Sequence, residues 1–133
     1  TAGIPTYTQF AGAEALTNAE KEKESVDSFM NEFVIRRNAL YNGLNSIAGI
    51  KLPLKPDGAF YIFPDFSEFV PKNIKPEDSK LYIFNKLMDA GVATVYGSCF
   101  GKYFLHNLRF SYSTTNLDQI EEGLSRIKYA LNK

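Results

Sequence analysis

The sequence predicts an α/β fold in which a small sheet is covered mainly by helices. Helical and strand patterns follow one another in the order helix, strand, strand, helix, strand, strand, helix. The longest uninterrupted helical pattern lies in the N-terminal third of the chain. The strand patterns are short and apolar, and glycine or proline bounds them. We therefore expect a mixed, largely antiparallel sheet of three or four strands, with a long helix connecting into it from the N-terminal side. A chain of 133 residues can bury a core of this kind.

Composition and charge exclude several classes of protein. The apolar fraction of 44% and the charged fraction of 23% are typical of globular domains, and 15 basic residues balance 15 acidic ones. A nucleic-acid-binding protein needs an excess of positive charge, and a membrane span needs an apolar run of roughly 20 residues. The sequence shows neither, nor a signal-peptide pattern, and its one cysteine excludes an intrachain disulfide. We expect a cytoplasmic protein that binds neither nucleic acid nor a membrane. Because the sequence does not begin with methionine, we also expect it to be part of a longer chain.

The N-terminal third is predicted to be helical. Thr1 to Tyr7 has the glycine and proline of a loop, and alanines favour a short helix from Thr8 to Leu16. A long helix should run from Ala19 to about Ala48 and end at Gly49. An apolar stripe lies along one side of this helix at spacings of three and four residues: Val26, Phe29, Met30, Phe33, Val34, Arg37, Leu40, Tyr41, Leu44 and Ile47.

Two strand patterns and a turn occupy the next segment. Ile50 to Leu54 contains a proline and is predicted to be an edge strand at best. In the turn from Lys55 to Gly58, we expect Gly58 to adopt a positive φ. The run from Ala59 to Phe63 is continuously apolar, which predicts a strand covered on both faces.

The C-terminal half is predicted to contain two helices and two strands. One helix should begin at Pro76 and end at Gly91, because proline suits the first turn of a helix and glycine the residue after its end. The last helix should be capped by Asn116, with Gln119 three residues later as the partner of a capping box. The strand patterns are Val92 to Tyr96 and Leu108 to Ser113.

The second of these strands carries the best candidate binding residue, Arg109. Side chains of a strand alternate between its faces, so Arg109 should lie opposite an apolar face formed by Leu108, Phe110 and Tyr112. A guanidinium held in this way is suited to bind a carboxylate through two hydrogen bonds. The alternative is an exposed arginine paired with a surface acid, and spacing alone favours this alternative because surface ion pairs are common.

Other chemistry has little support in the residues. His106 is the only histidine and has no second ligand at metal-binding spacing. Cys99 would need a base to act as a nucleophile, and although His106 is close in sequence, a buried or loop thiol is the more common case. The glycines from Gly97 to Gly101 do not open a helix, unlike those of a phosphate-binding loop. The residues thus offer one candidate anion-binding residue, Arg109, and predict no catalytic residue and no metal.

Four short motifs occur together in one order along the chain. They are Arg36-Arg37 in the long helix, Pro56-Asp57-Gly58-Ala59-Phe60-Tyr61, Ala90-Gly91-Val92-Ala93-Thr94-Val95 followed by Gly97-Ser98-Cys99-Phe100-Gly101, and Leu108-Arg109-Phe110-Ser111-Tyr112. With these motifs the chain resembles the C-terminal part of the class I/II aminotransferases, pyridoxal-phosphate enzymes of fold type I. The resemblance covers nearly the whole sequence.

The resemblance implies a role for Arg109, because the matching arginine of the family binds the α-carboxylate of the amino-acid substrate. It also implies that Gly58 to Tyr61 border the substrate pocket and that the loop from Gly97 to Gly101 leads to it. Tyr96 stands where many relatives carry proline, and we expect this difference to change the stiffness of the loop rather than the chemistry.

The resemblance also implies a domain division and a cofactor. Residues 1–17 would be the end of the large cofactor-binding domain, residues 18–133 would form the small domain, and the full-length enzyme would be a homodimer. The family holds pyridoxal phosphate through a lysine in a serine-lysine motif. Ser79-Lys80 is the only such pair here, but it falls on a predicted helix and lacks the glycine and arginine that should follow. We therefore expect Lys80 to be a surface lysine, no cofactor-binding residue in this chain, and no activity of the chain alone.

The function implied is transfer of an amino group from an amino acid to a 2-oxo acid by a longer, pyridoxal-phosphate-dependent enzyme. Two alternatives stay open: a non-catalytic anion-binding or interaction module of the same fold, and a fold-type-I lyase or synthase. Aspartate is the first guess for the substrate, and aromatic amino acids or alanine are the next. No single residue of the sequence decides among them.

Overall fold

The computed structural model describes residues 3–132, apart from the side chains of residues 19, 21, 76 and 77. The chain divides into two compact units, Thr1–Val34 and Ile35–Lys133. Helix α1 spans Thr6–Thr17 in the first unit. Helix α2 spans Ala19–Asn45, so it begins in the first unit and ends in the second. Helix α1 starts two residues before the predicted position, because the Pro5 carbonyl already accepts hydrogen bonds from the backbone N–H groups of Thr8 and Gln9. The predicted loop is therefore wrong at its last two residues, while Thr1 and Ala2 lie outside the described residues.

Apolar side chains of the first unit are exposed. Helix α1 buries none of its residues, and Phe10 and Leu16 are 73% and 77% exposed. The apolar stripe predicted for α2 is also exposed at Val26, Phe29 and Met30. The stripe is buried only further along the helix, at Leu40 and Leu44 in the second unit.

The second unit contains a three-stranded sheet. Its strands are β1 (Tyr61–Ile62), β2 (Val95–Tyr96) and β3 (Leu108–Ser111), and β3 lies in the middle. Both pairs of strands are antiparallel, so the described sheet is antiparallel rather than mixed. The predicted edge strand at residues 50–54 is reduced to a single bridge between Lys51 and Asp65.

The strands are shorter than predicted, and the first one differs in its backbone. Strand β1 is preceded by Ala59, whose φ is +58°, and is followed after one residue by Pro64. The positive φ expected at Gly58 is therefore found at Ala59 instead, and a left-handed conformation at alanine is strained. Val92 does not join β2, because its N–H donates to the Leu87 carbonyl at the end of the preceding helix.

Two further helices complete the second unit: α3 (Pro76–Asp89) and α4 (Leu117–Leu131). Their predicted ends are confirmed, with Pro76 at the start of α3 and Gly91 at a φ of +77° after its end. The predicted capping box of α4 is also present: the N–H of Gln119 donates to the Asn116 side chain, and the N–H of Asn116 donates to the Gln119 side chain. None of the described helices is both long enough and apolar enough to cross a bilayer.

The core lies on one face of the sheet. It is formed by apolar side chains from the end of α2, from α3 and α4, and from one face of the strands: Leu40, Leu44, Ile50, Ile62, Phe66, Ile83, Leu87, Leu108, Phe110, Tyr112, Ile120, Ile127 and Ala130. On the other face, Tyr61, Phe63 and Arg109 are only half-buried, and Ser111 is exposed. The prediction that the strand from Ala59 to Phe63 is covered on both faces is therefore wrong.

Candidate functional site

Arg109 lies on the half-exposed face of the central strand. Leu108 and Phe110, its neighbours in β3, are 2% and 5% exposed and point into the core. The alternation predicted from the sequence is thus confirmed. Because the neighbours are fixed by packing, the backbone that carries Arg109 is held firmly while its side chain stays accessible.

Two aromatic rings contact the guanidinium of Arg109. Its Cζ atom lies 4.3 Å from the centroid of the Tyr61 ring and 5.0 Å from that of Phe100. Strand register explains the first contact: Tyr61 pairs with Ser111, which makes it the diagonal neighbour of Arg109 on the same face. The second ring comes from the loop after β2. Both distances are within the range of cation–π contacts.

The guanidinium N–H groups of Arg109 have no partner among the described groups. Neither a hydrogen bond nor an ion pair joins its guanidinium to a described residue, so the surface ion pair considered from the sequence is not formed there. The N–H groups of the guanidinium are free to donate to an anion. A carboxylate can accept two such bonds in parallel.

The loop with Phe100 is a short 3-10 turn, Gly97–Phe100, that packs tightly against the chain before β3. The Gly97 N–H donates to the Asn107 carbonyl at 2.7 Å, and a Cβ atom at position 97 would overlap the carbonyl oxygens of Phe104 and Asn107. Only glycine therefore allows this close approach. Phe100 is 43% exposed, and its ring meets the ring of Phe63 edge-on at 5.5 Å.

The turn before Tyr61 is held by hydrogen bonds to its carbonyl groups. Arg37 donates to the Pro56 carbonyl at 3.0 Å, and the hydroxyl of Tyr112 donates to that of Ala59 at 3.0 Å. The backbone N–H of Tyr112 donates to the Phe60 carbonyl. Tyr112 is 1% exposed, and this burial raises the pKa of its hydroxyl above the ordinary value. The strained backbone at Ala59 is thus held by Tyr112, the residue that directly follows β3.

The two arginines of helix α2, Arg36 and Arg37, also donate hydrogen bonds to backbone carbonyls. Arg36 donates to the Ser113 carbonyl at 2.9 Å, just beyond the end of β3, while Arg37 contacts the turn before β1. Each of the two side chains thus donates a hydrogen bond to a backbone carbonyl near one end of a strand.

The other polar candidates do not form a catalytic group. Cys99 is exposed, and a hydrogen bond with its thiol raises the pKa of Tyr96. No described hydrogen bond joins Cys99 to His106, whose Nε2 lies 3.4 Å from the Ser79 hydroxyl instead. Among the side chains that the structure describes, no group of three or more histidine, cysteine or acidic residues could hold a metal ion.

The described residues do not fit a pyridoxal phosphate held by a lysine. Lys80 is exposed on α3, as predicted, and the groups that contact the Arg109 guanidinium are the rings of Tyr61 and Phe100 rather than an amine. Aldehyde cofactors of this class need a lysine and a charge partner held beside the reacting carbon. Among the described residues, the site at Arg109 thus offers a guanidinium and two rings, without a lysine in contact with them.

The family resemblance predicts that the segments with Tyr61 and Phe100 lie near the substrate pocket, but the sequence does not predict that either ring contacts Arg109. Alternation alone puts Tyr61 and Phe63 on one face of β1. The missing information was the register between β1 and β3, which brings Tyr61 diagonally to Arg109. The position of Phe100 depends on the turn after Gly97 and has no comparable signal in the sequence.

Comparison with known proteins gives one consistent result. A family model described as aminotransferase class I and II matches residues 1–127. A probable aspartate/prephenate aminotransferase of Aquifex aeolicus is 41% identical over 130 residues, which cover 98% of this chain and 31% of the relative. A probable aspartate aminotransferase of Methanocaldococcus jannaschii is 37% identical, over 92% of this chain and 29% of the relative. The chain thus spans about 30% of the length of these relatives.

Solved structures agree with these sequence matches. An aspartate aminotransferase of Thermus thermophilus, solved with maleate, superposes with a TM-score of 0.78 at 31% identity, over 92% of this chain and 29% of that one. An aromatic aminotransferase of Pyrococcus horikoshii has a TM-score of 0.76 at 32% identity, over 96% of this chain and 31% of that one. The expected fold is therefore confirmed, and the chain belongs to the aminotransferase class I and II family.

Proposed function

We propose that this chain is part of a pyridoxal-phosphate-dependent aminotransferase in which Arg109 binds the α-carboxylate of the substrate. The observation that carries this proposal is a half-buried guanidinium on a rigid strand whose N–H groups have no partner in the described chain. Membership of the family supports the reaction class, transfer of an amino group from an amino acid to a 2-oxo acid.

Arg109 would contribute binding and orientation. Two parallel hydrogen bonds from a guanidinium fix both the position and the direction of a carboxylate. The amino group and the α-carbon of the substrate are then held in one orientation, which lowers the entropic part of the barrier. The pyridoxal phosphate of the full-length enzyme would be held by residues outside this chain, because none of the described residues at Arg109 fits it.

For the substrate we propose a dicarboxylic amino acid such as aspartate, with an aromatic amino acid as the second candidate. Relatives named aspartate or aspartate/prephenate aminotransferases support the first, and the Thermus thermophilus structure with maleate is in keeping with it, since maleate is a dicarboxylate. The aromatic aminotransferase of Pyrococcus horikoshii supports the second. One arginine that binds the α-carboxylate would serve both.

We further propose that residues 1–17 belong to the large domain and residues 18–133 to the small domain of a cytoplasmic homodimer. Support comes from α1, a helix with exposed Phe10 and Leu16 that buries none of its own residues. Such a helix is expected to be covered by other parts of a larger protein. A chain shortened to begin at Asn18 should keep its compact fold, and loss of that fold would contradict the boundary.

The test of the function is a substitution in the full-length enzyme. Arg109→Ala should lower kcat/KM for the amino-acid substrate by about 30- to 1000-fold, corresponding to about 2–4 kcal/mol for a lost charged hydrogen-bond pair. The matched control is Lys80→Ala, which removes an exposed cation of α3 and should leave both kinetic constants unchanged.

Either of two results would reject the proposal. Unchanged kinetics in Arg109→Ala would exclude the carboxylate role, and loss of activity in Lys80→Ala would show that the cofactor chemistry had been misplaced. A full-length protein that binds carboxylates through Arg109 but transfers no amino group would instead be the non-catalytic module.

A further inference from the structure

We propose that Tyr61 and Phe100 are positioning residues that hold the Arg109 guanidinium ready for a carboxylate; we call the two rings the arginine clamp. The inference rests on the carboxylate-binding role proposed for Arg109. It assigns to two aromatic side chains a function in substrate binding that they exert through the arginine. Neither ring needs to touch the substrate for this function.

The first argument concerns the flexibility of arginine. The side chain is long, and fixing it on binding costs conformational entropy. A hydrogen bond or an ion pair within the protein can hold such a side chain before the ligand arrives. Arg109 has neither among the described residues, yet its Cζ atom has two ring contacts at 4.3 and 5.0 Å. Among the described residues, the rings are therefore the contacts that restrain the guanidinium.

The second argument concerns the donors. An acidic partner would fix the guanidinium but would also occupy its N–H groups and offset its charge. An aromatic ring attracts the cation through its face and accepts none of these in-plane hydrogen bonds. A clamp made of rings thus restrains the arginine while leaving both its charge and its donors available to an anion.

The third argument is that the clamp itself is held. Tyr61 belongs to β1 and packs against Phe60 with ring centroids 4.5 Å apart. Phe100 meets Phe63 edge-on, and its loop is fixed by the close approach at Gly97. Two elements that are distant in sequence therefore bring one ring each to Arg109.

The experiment is a kinetic comparison in the full-length enzyme. Tyr61→Leu and Phe100→Leu should each raise KM for the amino acid by about 2- to 30-fold, the range of one cation–π contact, with a smaller change in kcat. Tyr61→Phe keeps the ring and should stay within about twofold of the wild type, whereas a loss as large as that of Tyr61→Leu would overturn the proposal. The matched control is Tyr103→Leu, which removes a ring that is 83% exposed and contacts Lys102 instead, and KM should not change.

A double-mutant cycle separates a positioning role from a merely structural one. If the rings act through Arg109, adding Tyr61→Leu or Phe100→Leu to Arg109→Ala should lower kcat/KM no further. If the losses of kcat/KM in the single variants add in full in the double variants, the proposed role of the arginine clamp is wrong. If Arg109→Ala alone causes no loss, the proposed function has failed. If Arg109→Ala is impaired but both leucine variants behave like the wild type, only the clamp has failed.

Discussion

Individual side chains next to Arg109 fix the backbone around the site, through packing in the core and through hydrogen bonds. Leu108 and Phe110 of β3 are buried in the core. Tyr112 fixes the turn before β1, because its hydroxyl donates to the Ala59 carbonyl and its N–H donates to the Phe60 carbonyl. The positive φ of Ala59 shows why this matters, since alanine disfavours that conformation by roughly 1–2 kcal/mol. The hydrogen bond from Tyr112 offsets this strain.

A prediction at the residue scale concerns the pH dependence of stability. Burial raises the pKa of Tyr112 above about 10, its ordinary value, so above that pH the unfolded chain loses this proton before the folded chain does. The contribution of Tyr112 is therefore complete below pH 10 and declines as the pH rises through the folded pKa. Tyr112→Phe should make the decline of the unfolding free energy above pH 10 less steep.

Below that pH, Tyr112→Phe should be less stable than the parent chain by about 1–2 kcal/mol, because the Ala59 carbonyl loses its donor. Denaturant unfolding of the purified chain at several pH values measures both effects. Tyr103→Phe, at an exposed tyrosine, is the control and should match the parent chain throughout. An identical pH dependence in Tyr112→Phe and the parent chain would contradict the account.

At the scale of elements, the site is made where a strand and two turns meet. The central strand carries Arg109, the turn from Pro56 to Phe60 leads to Tyr61, and the turn from Gly97 carries Phe100. The same substitution at two glycines tests how tightly these parts fit. Gly97 approaches backbone oxygens, whereas Gly123 on α4 has open space where a Cβ would lie.

Gly97→Ala should lower the unfolding free energy by about 1–3 kcal/mol, because the new methyl group overlaps two carbonyl oxygens that cannot move independently. Gly123→Ala should raise it by about 0.5–1 kcal/mol, since alanine favours helix and meets no neighbour there. Thermal and denaturant unfolding of the two variants gives the comparison. Equal effects of the two substitutions would show that the turn at Gly97 is not closely packed.

Elements were predicted well where the signal is local. The capping box of Asn116 and Gln119, the start of α3 at Pro76 and the alternation in β3 depend on neighbouring residues, and the structure confirms all three. The predicted position of the positive φ was wrong. Glycine tolerates this conformation best, which favours Gly58, but the positive φ lies at Ala59, where the turn is held by long-range hydrogen bonds from Tyr112. The contacts of the arginine clamp also depend on pairing between distant segments, which one sequence does not contain.

At the scale of the whole molecule, our proposal is that this chain supplies one part of an aminotransferase site. The chain matches about 30% of the length of its relatives, and the described groups that contact the Arg109 guanidinium are the rings of Tyr61 and Phe100. Under this proposal, one domain would be specialised for holding the carboxylate of a substrate. The chemistry would come from the remainder of the enzyme.

The most direct test compares an amino-acid substrate with its α-amide in the full-length enzyme. The amide keeps the reacting carbon but cannot form the charged pair with Arg109. We expect the wild-type enzyme to prefer the acid by about 30- to 1000-fold in kcat/KM, and this preference should nearly vanish in Arg109→Ala. If Arg109→Ala still discriminates between acid and amide as strongly as the wild type, another group binds the carboxylate and the central claim is wrong.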